Sequence, residues 1–434
     1  MKIVLIGGGS FVFAPTVLED AIVKHKLEGS LILVDPNIAA AEAMAAAGRR
    51  IAKELGVQLE IQATSERLEA LREADFVIVS ASPQGAKRWC MDFEYLSSIG
   101  LADQARECGG IGGLLNSLRA ISLVLDVCGD MERLCPKAML LVVTNPMPRV
   151  VTAVQQYTSI RVVGFCNIAY RGADGYRLIP HLLGRSPESL DIVTGGLNHF
   201  AWICSIRDRR TGEDLLPQLT ERIQNGTWEQ FDSSIQRELA IMRNWYSEYG
   251  GIAAGAVDHH AEYLPFVASI HYPTAPPYHG TEEERKQRMI EIQHIADGKV
   301  DWKELFQHSS WEHPVDLAIA LHTRKSEYFD ILNIRNDGAI PYLPDERIVE
   351  VPVKVSNGKL AAIPLNPFPD KLANLIRQVS DVHSLVAASA ATGSREAARE
   401  AMLRDPAIVD KEKALQAFDH QLAVHADLLP RFKF

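Results

Sequence analysis

The sequence predicts an α/β protein in which a Rossmann-type, doubly wound parallel sheet packs on a mixed α+β C-terminal domain. Three observations carry this expectation. The chain opens on a continuous apolar run, residues 3–6, that ends in Gly7-Gly8-Gly9. Similar runs recur at residues 31–34, 76–80, 139–144 and 161–164, with helical segments between them. None of them shows the polar alternation of a half-exposed strand, as expected where helices cover both faces of a sheet. A chain of 434 residues has room for about two domains, placed here at 1–190 and 191–434.

The elements follow in order. Pro15 fits the first turn of a helix running to about His25. The second apolar run ends in Asp35-Pro36-Asn37 and leads into an Ala-rich helix. Residues 230–249 and 281–296 read as helices, 340–365 as short strands between Pro and Gly turns, and the chain beyond Pro367 as helical. No Ser/Gly linker separates the halves, which points to two intimately packed parts. Ligands of such sheets bind beyond the carboxyl ends of the strands. The glycine loop, Asp35, Ser80-Ala81-Ser82-Pro83, Asn145 and Cys166 all follow a strand and therefore share one edge.

A formal net charge of −10 argues against a nucleic-acid partner, which calls for a basic face. Six cysteines without a CxxC pair read as reduced thiols of a cytoplasmic protein. The apolar start is too short for a secretory signal, and no apolar run reaches membrane-spanning length, so no membrane partner is expected.

The glycine turn is the first functional motif. A tight strand-to-helix turn lets the backbone approach a pyrophosphate and aims helix N–H groups at it. Gly7 and Gly9 fill the first two positions of G-x-G-x-x-G, but Val12 occupies the third. Asp35 strengthens the motif, because an acid at the end of the second strand hydrogen-bonds ribose hydroxyls and repels a 2′-phosphate. NAD is thus expected over NADP, held by Gly7, Gly9, Ser10, Phe11, Asp35, Ser82 and Asn145.

Cys166, at the end of a predicted strand, and His199, in Gly-Gly-Leu-Asn198-His199-Phe, are candidate ligands of a divalent metal. Two protein ligands do not close a structural zinc site, so an open site would leave positions for substrate oxygens and water. The alternative is a buried thiol beside a hydrogen-bonded imidazole.

At this point the motifs accumulate. Besides the glycine loop and Asp35, they are Glu107-Cys-Gly-Gly-Ile-Gly-Gly113, Thr144-Asn145-Pro146, Cys166-Asn167, Asn198-His199, Asn336-Asp-Gly-Ala-Ile-Pro-Tyr-Leu-Pro344 and Val349-Glu350-Val351-Pro352. Together they resemble the family 4 glycoside hydrolases over most of the chain. The resemblance implies a lactate/malate-dehydrogenase-like fold and a homodimer or homotetramer. It also implies a glycosidase that uses NAD and a divalent metal, often manganese, with Cys166 and His199 as ligands. The implied reaction on a small-molecule glycoside is redox-assisted elimination, outside the usual two-carboxylate scheme: C3 oxidation, C2 deprotonation, C1 elimination, water addition and C3 re-reduction.

In the segment 257–265 the resemblance is to the galactosidase-like form, which favours Asp258 or His259 as the C2 base over Tyr263. Asn167 takes the position where some relatives carry an acid; it can hydrogen-bond but has no acidic proton to give. Glu107, Asn145 and Asn167 are candidates to hold sugar hydroxyls. Lys87, Arg88, Arg106, Arg149 and Arg171 lie in or beside the strand-end loops, and Arg88 and Arg149 are expected to read an anionic group on the sugar. A hydroxy-acid or sugar dehydrogenase on the same fold is the competing reading, and an NAD sensor without catalysis a third. Neither gives the Cys/His pair a role.

Overall fold

Side chains of the first strand point alternately into two separate cores. Ile3 and Leu5 join one cluster, packed with Met44 and Ile51 of the helix Ile38–Leu55. Val4 and Ile6 join the other, packed with Leu114, Leu118 and Ile121 of the helix Gly110–Leu134. This is the two-sided burial that an unbroken apolar run requires. Each such side chain contributes about 1.5–3 kcal/mol of transfer free energy.

The computed structural model describes residues 1–166, 175–265, 281–307, 310 and 312–433. One 11-stranded sheet runs through it. Its strands are β1 (Lys2–Ile6), β2 (Gly29–Val34), β3 (Leu59–Thr64), β4 (Phe76–Val79), β5 (Met139–Val142), β6 (Arg161–Gly164), β7 (Leu190–Leu197), β8 (Phe200–Asp208), β9 (Glu327–Arg335), β10 (Ile348–Ser356) and β11 (Lys359–Ala362). The order is β3-β2-β1-β4-β5-β6-β9-β10-β7-β8, with β11 beside β10. The strands from β3 to β6 are parallel. From β6 onward every pairing is antiparallel.

The five apolar runs are all strands, within one or two residues of their expected bounds. Three further parts of the sheet escaped the sequence. β3 is an edge strand with the burial alternation of a half-exposed ribbon, and its apolar side chains are sparse. β7 and β8 form a hairpin of mixed composition, and β9 has four buried residues only at its far end. Their burial comes from partners distant in sequence, which local pattern does not register.

The first helix starts at Ala14 with Pro15 in its opening turn, as expected, and passes into a π-helical segment, Glu19–Lys24. Thr281 caps Glu282–Ala296 in a reciprocal capping box with Glu284. Among the described residues, Gly110–Leu134 is long and apolar enough to cross a membrane, but most of it is buried in the protein. Its role is to cover one face of the sheet.

Candidate active site

The parallel strands end on one edge, and their following residues build the site. Gly7 and Gly8 donate their N–H groups to Val34 O, which fastens the turn to the end of β2. Gly7 has φ +91°, and a Cβ on Gly8 would stand 2.6 Å from Leu33 Cβ, so both positions need glycine. Asp35 Oδ2 accepts from Gly9 N at 3.0 Å, and its Oδ1 accepts from Asn37 N at 2.9 Å. A carboxylate has about four lone-pair directions, so Asp35 keeps capacity for ribose hydroxyls. Ser10 Oγ accepts from Val12 N and Phe13 N, and Phe11 is half-buried. Ser82 is exposed beyond β4. An open glycine cradle beside an acid with spare acceptors fits a dinucleotide.

Cys166 follows β6, and His199 lies in the two-residue turn that joins β7 to β8. Their Sγ and Nε2 atoms are 3.4 Å apart, and both residues are buried. Taking zinc as a gauge, ligand bonds of about 2.3 Å for sulfur and 2.0–2.1 Å for nitrogen separate two atoms on one cation by about 3.1 Å at a right angle and about 3.5 Å at a tetrahedral one. The observed spacing falls within that span. Burial, then the neighbouring His259, hold the His199 imidazole well below the usual histidine range, so it is neutral and able to ligate. The pair supplies two donors to a divalent cation and leaves its remaining positions to oxygen ligands from the sugar and water. Among the described residues no group of three or more His, Cys, Asp and Glu forms a closed metal site.

Asp258 and His259 begin the short helix Val257–Ala261. His259 Nδ1 lies 2.8 Å from Asp258 Oδ1, and its ring packs edge-on against His199 with centroids 4.6 Å apart. Burial opposes the charge on both residues, but their mutual hydrogen bond prevails: Asp258 is held low and His259 is raised. With Nδ1 turned to the carboxylate, Nε2 is the ring nitrogen left for another partner. Tyr263 is fully buried, and burial pushes its hydroxyl well above the usual tyrosine range.

Asn145 Nδ2 donates to Glu107 Oε1 at 3.3 Å. Burial raises the Glu107 carboxyl, with Asn145 and His259 acting in the opposite direction. The structure thus gathers Glu107, Asn145, Cys166, His199, Asp258 and His259. Asn167 and Arg171 lie outside the described residues.

Two expected substrate contacts are corrected. Arg88 is 6% exposed and donates to Gln84, Val424 O and Asp427 while facing His425, so it fastens the C-terminal segment to the helix Gly85–Ser98. Arg149 is 0% exposed, donates to Ser117 Oγ and faces Asp405, so it supports the interior beneath the loop. Arg106 is committed as well: its Nη1 meets the carbonyls of Ala261, Glu262 and Leu264.

Glu262 joins the site without a motif of its own in the sequence. Its Oε2 accepts from Cys108 N at 2.5 Å and Gly109 N at 3.1 Å, at the start of Gly110–Leu134. With Arg106 it ties the 257–264 segment to the Glu107 loop. The only sequence signal was an acid within a run that becomes apolar.

Fold and site define an α/β enzyme of dehydrogenase-like architecture with a thiol–imidazole pair at its strand ends. The chain matches the family 4 glycosyl hydrolase model over residues 2–176 and the family's C-terminal domain model over residues 194–408. It belongs to the family 4 glycosyl hydrolases. An alpha-galactosidase of Bacillus subtilis (strain 168) is 27% identical over 445 residues, spanning 100% of both chains. A 6-phospho-alpha-glucosidase from gut microorganisms, crystallised with NAD and Mn2+, aligns with a TM-score of 0.79 at 22% identity over 100% of this chain and 99% of that one. Malate dehydrogenase of Plasmodium falciparum aligns with a TM-score of 0.52 at 13% identity, covering 90% and 99%. Both structural likenesses are of fold, and both agree with the expected lactate/malate-dehydrogenase architecture.

Proposed function

We propose that this enzyme cleaves a small glycoside by transient oxidation at C3 of the sugar, with NAD and a divalent cation, Mn2+ first among them, as resident cofactors. The observation that carries the reading is the Cys166–His199 pair standing against the Asp258–His259 pair on the sheet edge that bears the glycine loop. Gly7, Gly9, Ser10, Phe11, Asp35, Ser82 and Asn145 would hold the dinucleotide, and Cys166 and His199 the metal. When bound, these groups supply a reversible hydride acceptor and a Lewis acid for the sugar oxygens.

The chain's own residues do the remaining work. Glu107 and Asn145, half-buried and hydrogen-bonded to each other, orient the sugar hydroxyls. A C3 carbonyl acidifies the C2 proton. His259 Nε2, steadied by Asp258 at Nδ1, takes that proton as the bond from C1 to its oxygen breaks. Water then adds at C1, and the departing oxygen takes a proton from solvent. His259, after exchange with solvent, delivers a proton to C2, and return of the hydride to C3 would regenerate the dinucleotide, so neither cofactor would be consumed.

The alpha-galactosidase likeness makes an α-galactoside the first substrate to test. Arg88, Arg106 and Arg149 serve internal partners, so of the five basic residues an anionic glycone would rest on the exposed Lys87 or on Arg171. Chromogenic α-galactosides and 6-phosphoglucosides, incubated with and without NAD+ and Mn2+, provide the test. Cleavage that needs both cofactors and accumulates no NADH supports the reading. Stoichiometric NADH without bond cleavage would establish the dehydrogenase alternative instead.

A further inference from the structure

Cys166 and His199 hang from strands that are not neighbours. β9 and β10 lie between β6, which ends before Cys166, and β7, which ends before His199. A 3.4 Å spacing across that gap needs something to fix it, and one buried carboxylate spans the interval. Glu350, on β10 and 1% exposed, accepts from Asn198 Nδ2 at 2.7 Å and from Asn333 Nδ2 at 3.0 Å. Asn198 directly precedes His199. Asn333, on β9, is the residue paired with Gly164, two positions before Cys166. A Cβ on Gly164 would stand 3.0 Å from Asn333 Cβ, so the two strands are in close contact there.

Two further observations favour a positioning role over simple packing. Glu350 interrupts a row of buried apolar residues on its strand, Ile348, Val349, Val351, Val353 and Val355. Burying a carboxylate there is costly, and apolar residues of similar volume would serve stability equally well or better. His199 has φ +60°, a left-handed conformation that non-glycine residues seldom adopt and that persists only where the surroundings enforce it. The Asn198 anchor lies one residue away. Among the described residues, Glu350 Oε1 and the two amide oxygens have no hydrogen-bond partner, so the two N–H···O bonds make up the tie.

We propose that Glu350, acting through Asn198 and Asn333, is the positioning residue that sets the Cys166–His199 geometry for a divalent cation. The proposal rests on the reading of that pair as metal ligands. Partners behind first ligands typically alter metal affinity by about 10–100-fold.

The test uses the full-length enzyme and direct metal binding: Mn2+ affinity by electron paramagnetic resonance, and the thiolate-to-metal absorption band with Co2+. Glu350→Ala is expected to weaken Mn2+ binding about 10–100-fold and diminish the Co2+ band, with NAD affinity near that of the parent and a melting temperature lowered by the two buried amides left unpaired. Glu350→Gln keeps one carbonyl acceptor and should lose less than about fivefold. Parent-like Mn2+ affinity and Co2+ band in a folded Glu350→Ala would overturn the proposal. An equal loss of NAD affinity would also do so, since it would show general loosening. Should Glu350→Ala not fold, Asn333→Ala serves: a several-fold loss supports the tie and parent-like binding refutes it. A parent enzyme that binds Mn2+ no better than Cys166→Ser would remove the metal reading itself, and this proposal with it.

Discussion

Cys166 Sγ and His199 Nε2 stand 3.4 Å apart although 33 residues separate them in the chain. The contact joins the last parallel strand to a hairpin beyond the point where the sheet turns antiparallel. The thiol that follows the last parallel strand and the imidazole of the β7–β8 turn are thereby brought together.

Cys166→Ser replaces a soft donor with a hydroxyl that stays protonated at neutral pH. Glycosidase activity should fall by at least about 100-fold, in line with loss of a metal ligand, while NAD binding measured by calorimetry changes little. Chelation with EDTA should abolish parental activity, and added Mn2+ should restore it. Activity unaffected by both treatments would contradict the metal role.

Asp258→Asn removes the charge that steadies His259. The turnover number should drop about 10²–10⁴-fold, the usual worth of a positioned base. In deuterated water the parent should incorporate deuterium at C2 of the released sugar, and the variant should do so far more slowly. A product with hydrogen fully retained at C2 would rule out deprotonation there.

Asp35→Ser puts a hydroxyl in place of the carboxylate that accepts from Gly9 N and Asn37 N. NAD affinity should weaken, and the preference for NAD over NADP should narrow by about tenfold or more, because the like-charge penalty against the 2′-phosphate is gone. Titration of both cofactors against the variant measures this.

Glu262 supplies a pH-dependent term. Burial and the neighbouring Glu107 raise its carboxyl to about 7 from an ordinary 4.5. A raised acid contributes stability that is fully present below its unfolded value and is lost as pH climbs to the folded one. The loss therefore falls between pH 4.5 and about 7. Glu262→Gln keeps an oxygen for Cys108 N and Gly109 N but carries no charge. Its melting temperature relative to the parent should be higher at pH 8 than at pH 5; an offset that does not change with pH would refute this account.

Arg88→Ala separates an internal tie from a substrate contact. It deletes the partner of Asp427 and leaves His425 without its Arg88 contact, so stability should fall by about 1–3 kcal/mol. KM for the glycoside should hold within about twofold. A large rise in KM with unchanged stability would restore Arg88 to the substrate site.

The local code of this chain is strong where burial is two-sided. β1, β2, β4, β5 and β6 were legible because each is an apolar run bounded by a turn, and Asp35, Asn145 and Cys166 inherited their edge from the strands before them. β3, β7, β8 and β9 were not legible, since only part of each is covered and the covering partners are remote. The same reason hid the true tasks of the arginines. A basic residue in a strand-end loop looks the same in sequence whether it faces the cleft or, like Arg149, is enclosed with Ser117 and Asp405.

By itself the sequence determined the parallel sheet, the nucleotide turn, the family and the residue types that carry the chemistry, because these depend on runs and spacings along the chain. Tertiary structure alone decided which charges remain for a ligand and how Asp258, His259, His199 and Cys166 converge. Those outcomes depend on desolvation and on contacts between residues far apart in the chain, and no local pattern encodes either.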